Sequence, residues 1–305
     1  MNADNKNSPN EHIPVLTENL AEQIVLPRDG TVLDVTVGHG GHSFLFGKQL
    51  GPDGTILGLD VDEGCITRAH INLSSLACKV ILVRANFAQI KEVAAEHGIE
   101  KADLILADLG FCSSQMAESQ RGLSFRENMP LDMRLDDRLK TTAADIVNGY
   151  DEKSLADLIY GFGQDTASRR IARFIVQDRK IGAITTTGQL AAIVCRALGQ
   201  PATGRKNRTH PATRTFQALR IAVNDELANL EKLVAAAPTL LRKNGFAAVI
   251  SFHSLEDRIV KTNFKQNKLD GIYEILTKKP ITATREQIAQ NPRARSAKLR
   301  IARHK

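Results

Sequence analysis

Six residues, Gly38-His39-Gly40-Gly41-His42-Ser43, close a short apolar, β-branched run that begins at Thr31. Glycines at the end of such a run let the backbone approach a ligand closely, and a helix that follows presents free N–H groups. Asp60 lies twenty residues beyond Gly40, at the end of a second apolar run. That is the spacing at which an acid hydrogen-bonds ribose hydroxyls. A glycine loop alone is also what a structural turn looks like. Loop and strand-end acid together point to an adenosine-containing cofactor. A dinucleotide fingerprint would read GxGxxG, but its last position here is Ser43, and no clear second nucleotide-binding half follows. Asp108 ends a fourth run, in Ala-Asp-Leu-Gly, where an amine methyltransferase would meet its substrate. These residues favour S-adenosylmethionine, with a nicotinamide oxidoreductase as the rival reading.

Two further groups invite chemistry. Cys112 follows Asp108 closely, and carbon-5 methylation of a cytosine needs a thiolate nucleophile. His253, Glu256 and Asp257 cluster in SFHSLEDR, after another apolar run. Their spacing matches no HExxH site, so no metal is expected. The four cysteines, Cys65, Cys78, Cys112 and Cys195, are scattered without a CxxC pair, which suits a reducing cytoplasm.

Regular elements must position these residues. Runs at Thr31 to Val37, Thr55 to Asp62, Lys79 to Asn86 and Ala102 to Gly110 read as strands. Helical segments alternate with them, around Ser43 to Leu50, Asp62 to Leu76 and Phe87 to His97. This alternation predicts an α/β fold with a parallel, doubly wound sheet. It then stops. From Gln115 to Arg214 only helical periods appear, at Ser154 to Phe162, Arg169 to Asp178 and Thr187 to Gly199. One long helix is expected over Arg214 to Ala237. Late strands follow at Gly245 to Ser254, Tyr273 to Pro280 and Ser296 to His304. The expected organisation is a disordered lead-in over 1–11, a discontinuous sheet domain over 12–115 and 215–305, and an inserted all-helical domain over 116–214.

Composition sets the class. Of 305 residues, 42% are hydrophobic and 25% charged, which is ordinary globular composition. No apolar run approaches the ~18 residues of a membrane helix. The net charge is +7. Its distribution is more telling. Arg179 to Asn224 holds no acid but carries Arg205, Lys206, Arg208 and Arg214 among its cations. A second acid-free stretch after Glu286 includes Arg293 and Arg295. Either could be a solvated basic surface. Together they favour contacts to nucleic-acid phosphates.

The motifs also carry a resemblance. TVGHGGHS, DLG with Ser113, Ser114 and Gln115, RGLSF (Arg121 to Phe125), PLDMRLD (Pro130 to Asp136), HPATRTFQALRIAVNDEL (His210 to Leu227), ISFHSLEDRIVK (Ile250 to Lys261) and NPRARSAKLR (Asn291 to Arg300) occur in order. In these the chain resembles the RsmH (MraW) family of 16S ribosomal RNA cytosine-N4 methyltransferases. The resemblance implies a Rossmann-like class I S-adenosylmethionine-dependent sheet with a helical insert recognising RNA. It implies cofactor contacts at Gly40, Gly41, His42, Asp60, Phe87, Asp108 and Gln115. It implies a cytidine in the decoding centre as substrate, the small ribosomal subunit as partner, and leaves a homodimer open. For His42 the backbone is the expected contact; for Phe87 core packing is the plain alternative. Asp108, or a carbonyl of the Asp108 to Gly110 turn, is the candidate acceptor for the amine's N–H groups, against a purely structural or cofactor-side role. The base must leave its stack to react, and Phe111, Phe125 and Phe252 are candidate partners for it. Arg205, Lys206, Arg208, Arg214, His253, Arg293 and Arg295 are candidate RNA contacts. The chain departs from the family's DLGVSSPQ with DLGFCSSQ, and from its YGEE-like motif with FGQD at Phe162 to Asp165. A Cys112-dependent carbon-5 enzyme and a non-catalytic rRNA-binding assembly factor are the alternatives.

Overall fold

The computed structural model describes residues 14–110, 121–124, 127–200 and 210–305. The expected lead-in over 1–11 lies outside them. The chain divides into two compact units, one of Met1–Ser113 with Leu227–Lys305, the other Ser114–Glu226.

The first unit is built on one sheet. Its strands are β1 (Thr31–Asp34), β2 (Thr55–Asp60), β3 (Lys79–Arg84), β4 (Ala102–Asp108), β5 (Leu241–Ser251), β6 (Tyr273–Ile275), β7 (Ile281–Thr282) and β8 (Lys298–His304). They lie in the order β3-β2-β1-β4-β5-β8-β6, with β7 on β8. The first five are parallel, and β8 runs antiparallel to its neighbours. Alternation sends successive side chains to opposite faces. Leu33, Ile105, Ala107, Ala247 and Val249 enter one apolar core. Val32, Leu104, Leu106, Ala248 and Ile250 enter another. Both faces are covered, which is why these strands read as continuous apolar runs. The helices α1 (Thr17–Gln23) and α2 (Gly41–Gly47) supply Leu20 and Phe46 to the second core. The helices α4 (Ile90–Glu96), α10 (Glu226–Leu240) and α11 (Ser254–Leu269) supply Ile90, Leu230, Leu233, Val260 and Phe264 to the first. Between them in sequence, α3 (Glu63–Leu73) starts at Asp62, whose side chain accepts the Gly64 and Cys65 N–H groups.

The second unit is helical, with α5 (Ala143–Gly149), α6 (Glu152–Gly163), α7 (Ser168–Asp178), α8 (Thr187–Leu198) and α9 (Thr213–Asn224). Among its described residues the only ladder pairing is the isolated bridge of Pro130 with Thr186. Ile146, Ile159, Ile171, Ile175, Leu190 and Leu219 form its core. Thr142, Asp151 and Thr186 cap the starts of α5, α6 and α8, so side-chain oxygens satisfy helix N–H groups there. FGQD has a packing reason. A Cβ on Gly163 would stand 2.6 Å from the Arg214 carbonyl oxygen. The following Gln164 takes a left-handed φ of 51°, and its own carbonyl accepts from Arg214 Nη1. Gly163→Ala is therefore expected to destabilise the protein by about 1–3 kcal/mol through overpacking against backbone, despite the ~1 kcal/mol gained in helix propensity. Urea unfolding reads this; an unchanged midpoint would remove the close approach from the account.

The structure differs from expectation in several places; the strand expected over Tyr273 to Pro280, for one, ends at Ile275. The long helix over Arg214 to Ala237 is two helices, broken at Asp225 with φ +50°. Asp tolerates that conformation better than most residues. Asn224 braces the break by donating to the Met133 carbonyl and accepting the Leu135 N–H. Arg220 adds a fork to Glu226. Hence α9 buries Phe216 and Leu219 in the helical core, and the division falls at Leu227 rather than at 215. Next, β5 begins at Leu241, ahead of Gly245. Ala102 pairs with Leu241 and Leu104 with Phe246, so β5 bulges between these pairs, with Asn244 at φ +66°. Further, β1 ends at Asp34 instead of Val37, although the Val35 and Val37 N–H groups still donate to the Leu106 and Leu59 carbonyls on the way into the glycine loop. Finally, α1, α5, β7 and α12 (Arg285–Gln290) were unanticipated. Each is too short for periodicity to register over an 11-residue window. No helix of the described residues is long and apolar enough to cross a membrane.

Candidate active site at the strand ends

The chain runs from β1 outward to β2 and β3, then returns to lay β4 and β5 on the other side of β1. The carboxyl ends of β1 and β4 therefore flank the point where strand order reverses. Open parallel sheets bind their ligands there. Asp34 ends β1, Asp60 ends β2 and Asp108 ends β4.

The glycine loop is folded around Asp60. Gly38 and Gly40 take φ of +53° and +86°, a conformation that side chains resist. Asp60 Oδ2 accepts the Gly38 N–H at 3.0 Å, and Oδ1 accepts the Asp62 N–H at 2.9 Å. Each oxygen keeps a further lone pair for a ligand. Burial pushes the Asp60 carboxyl up to about 6, against the pull of those two N–H groups. Gly41 lies so close to Pro14 that a Cβ would stand 2.7 Å from Cγ of the proline ring. The segment before α1 thus straps the start of α2.

A second set of contacts fixes Asp108. Its backbone N–H donates to the Thr36 hydroxyl at 2.6 Å, and its Oδ1 accepts from the Gly110 N–H at 3.4 Å. Its carboxyl is raised by burial, and His42 partly offsets the rise. His42 Nδ1 stands 3.7 Å from Asp108 Oδ2, while Nε2 stands 2.9 Å from the Val15 carbonyl. Beside them Asp34, 1% exposed, accepts from Ser43 Oγ at 2.6 Å and from the Thr36 N–H at 3.3 Å. Burial raises its carboxyl, with the Ser43 hydroxyl pulling it down. Asp34, Thr36 and Val15 are site residues beyond those expected from the sequence, and Ser43, expected only as the close of the glycine loop, bonds Asp34. The one available signal was an acid inside an otherwise apolar strand, adjoining the glycine loop.

Gly40, Gly41, His42, Asp60 and Asp108 thus gather at the carboxyl ends of β1, β2 and β4. Phe87 follows β3 and is half-buried against the apolar core, so core packing accounts for part of its ring. Phe252 follows β5, and its ring is what a Cβ on Gly110 would strike, at 2.9 Å. His253 has a local task. It caps α11, with Nδ1 accepting the Glu256 N–H at 3.4 Å. Glu256 returns the favour by accepting the Phe252 and His253 N–H groups at 2.7 and 3.1 Å. Asp257 faces Arg300 through bonds of 2.7 and 3.3 Å and belongs to that ion pair.

The basic candidates are dispersed. Arg295 is exposed and Arg293 half-buried, on the 3-10 turn Pro292–Ser296 of the first unit. Arg214 is exposed on α9, in the helical unit. Gln115, Arg205, Lys206 and Arg208 lie outside the described residues, as do Phe111, Cys112 and Phe125.

Comparison with known proteins covers nearly the whole chain. The model of the MraW methylase family matches residues 9–305. A protein of Acidobacterium capsulatum named ribosomal RNA small subunit methyltransferase H is 46% identical over 96% of this chain and 98% of its own length. Proteins of the same name from a Picosynechococcus strain and from Clostridioides difficile are 47% and 40% identical. They align over 96% and 95% of this chain, and over 96% and 98% of their own lengths.

Proposed function

The chain belongs to the MraW methylase family, and from that premise we propose that it methylates the N4 amine of a cytidine in 16S ribosomal RNA of the small subunit, using S-adenosylmethionine. The observation that carries the proposal is the acid at the end of β4. Asp108 is held by Thr36, faced by His42 and set at the sheet's switch point.

The site's residues fit an adenosine-bearing cofactor. Asp60 has lone pairs left over for ribose hydroxyls, and the Gly38 to Gly41 loop carries no side chain at three of its four positions. Phe87 offers a partly exposed ring for adenine. Gln115 and the backbone at Gly40, Gly41 and His42 complete the proposed contact set. The bound cofactor supplies a methyl group on a positively charged sulfur, open to in-line displacement.

The chain's own residues then have a definite task. A cytidine amine is a weak nucleophile because its lone pair is conjugated with the ring. Asp108, accepting its N–H, favours a pyramidal nitrogen and takes up the proton that must leave. Most of the remaining catalysis is orientation. The base must be unstacked to enter, and Phe252, beside Gly110, provides a flat surface for it. Arg293, Arg295 and Arg214, together with Arg205, Lys206, Arg208 and His253, are the proposed RNA contacts. The reading places the protein in the cytoplasm with its ribosomal substrate.

The test is transfer of labelled methyl to purified small subunits, with mass spectrometry of the mapped nucleotide. N4-methylcytidine is the expected product. Carbon-5 methylcytidine would transfer the chemistry to Cys112, and absence of label on any ribosomal particle would overturn the proposal.

A further inference from the structure

His42 is usually the residue to read through its backbone, at the start of a helix behind a glycine loop. Its imidazole is nonetheless buried, at 6% exposure, with Nε2 bonded and Nδ1 turned toward an acid. Nε2 lies 2.9 Å from the Val15 carbonyl. A carbonyl only accepts, so Nε2 carries its proton whether the ring is neutral or charged. The tautomer is thereby fixed. In the neutral ring, Nδ1 must then turn a bare lone pair toward Asp108 Oδ2, 3.7 Å away.

A lone pair facing a carboxylate is repulsive, and a proton placed between the two groups would relieve that repulsion. Asp34 approaches from β1, Asp108 from β4, and Glu256 from α11 adds its field, with His253 bonded to Glu256 on the same helix. The Asp108 side chain is 17% exposed and so remains open to a ligand.

We propose that His42 is a positioning residue for Asp108: tethered through Nε2 to Val15, its imidazolium keeps Asp108 as the carboxylate that receives the proton leaving the amine. This rests on the methyl-transfer reading above. In the transfer, the amine nitrogen's pair forms the new N–C bond. The C–S bond breaks and its pair stays on sulfur. One N–H proton passes to an Asp108 oxygen, and then to water once the product has left. Without the imidazolium, burial would keep Asp108 protonated to higher pH, and a protonated carboxyl cannot accept that proton. The 3.7 Å separation is longer than a hydrogen bond, as acid–base pairs commonly are before substrate binds.

Two measurements test the proposal. In nitrogen-labelled protein without substrate, NMR should show His42 Nε2 protonated throughout a pH titration and only Nδ1 titrating. Asp108→Asn should lower that titration midpoint by about one pH unit or more, since a nearby anion is lost. A proton fixed on Nδ1, or a midpoint insensitive to Asp108, overturns the proposal. The second uses His42→Gln, whose amide can still donate to Val15 but cannot titrate. The acid limb of its single-turnover rate on small subunits should move up by about one pH unit. Its rate should recover toward that of the native protein at alkaline pH. A uniform loss with the limb unmoved is what a structural role gives, and would sink the idea. Should the variant fail to fold, the NMR arm decides alone. If the native protein transfers no methyl while the NMR behaves as expected, the methyl-transfer reading falls, and Asp108's role with it, but the fixed tautomer stands.

Discussion

Asp108→Asn should slow methyl transfer to small subunits by about 10²- to 10³-fold, within the range for loss of a general base. That corresponds to about 2.7–4 kcal/mol of transition-state stabilisation. Asn preserves the shape, and the contacts that fix position 108 come largely from the backbone. The backbone N–H of residue 108 bonds the Thr36 hydroxyl, and β4 is paired on both sides. The fold should therefore survive, with an unfolding midpoint close to the native one. What is lost is the anion. An amide oxygen can accept an N–H but cannot take a proton at neutral pH. The loss should appear in the single-turnover rate constant, with cofactor affinity changed much less. The opposite pattern, weakened cofactor binding with an intact rate at saturation, would move Asp108 to the cofactor side of the site.

Asp60→Ala should weaken S-adenosylmethionine binding by about 100-fold. Two hydrogen bonds from ribose hydroxyls to a carboxylate, at about 1.5 kcal/mol each, amount to two decades in Kd. The loop suffers as well, because the Gly38 and Asp62 N–H groups lose their acceptor. Calorimetric titration measures the affinity, and a Kd within threefold of native would remove Asp60 from the contact set. The pH dependence is a separate check. Burial raises this carboxyl from 3.8 to about 6 in the folded protein. Raised means that the protonated form is favoured on folding. Asp60's contribution to stability is thus complete below pH 3.8 and declines as pH rises to about 6. Ligand binding has the opposite sign, because ribose donors require the carboxylate. Affinity should fall about tenfold from pH 7.5 to pH 5 as Asp60 takes up its proton, and the Asp60→Ala variant should lack that dependence.

The strand-end acids and the glycine loop were legible because their geometry is local. A short, continuous apolar run rich in β-branched residues reads as a strand covered on both faces, and whatever follows its last residue emerges at its end. Asp60 and Asp108 needed no tertiary knowledge to be placed at strand termini, nor did the helical stretch after β4. The long motifs, HPATRTFQALRI and SFHSLEDRIVK above all, carried the family. What the motifs did not convey was the division of labour inside them. Of the charged residues in SFHSLEDR, His253 caps a helix, Glu256 ties down the Phe252 and His253 amides, and Asp257 faces Arg300. A reading by charge alone makes all three look available for chemistry.

The strand order, the break at Asp225 and the approach of His42 to Asp108 were decided only in three dimensions. Periodicity says which face of an element is apolar, but not which element will cover it. So nothing local sets β8 between β5 and β6, or opposes Arg300 to Asp257 across 43 residues of chain. The same holds for His42. Its sequence position placed its backbone at the glycine loop, as expected. Its ring, however, is oriented by Val15, 27 residues earlier, and by Asp108 on a strand laid down only after β2 and β3. The sequence by itself determined that Asp60 and Asp108 close their strands. The protonation of Asp108 depends on the packing of α2 beneath the Pro14 strap, because only that packing fixes which imidazole nitrogen faces the carboxylate.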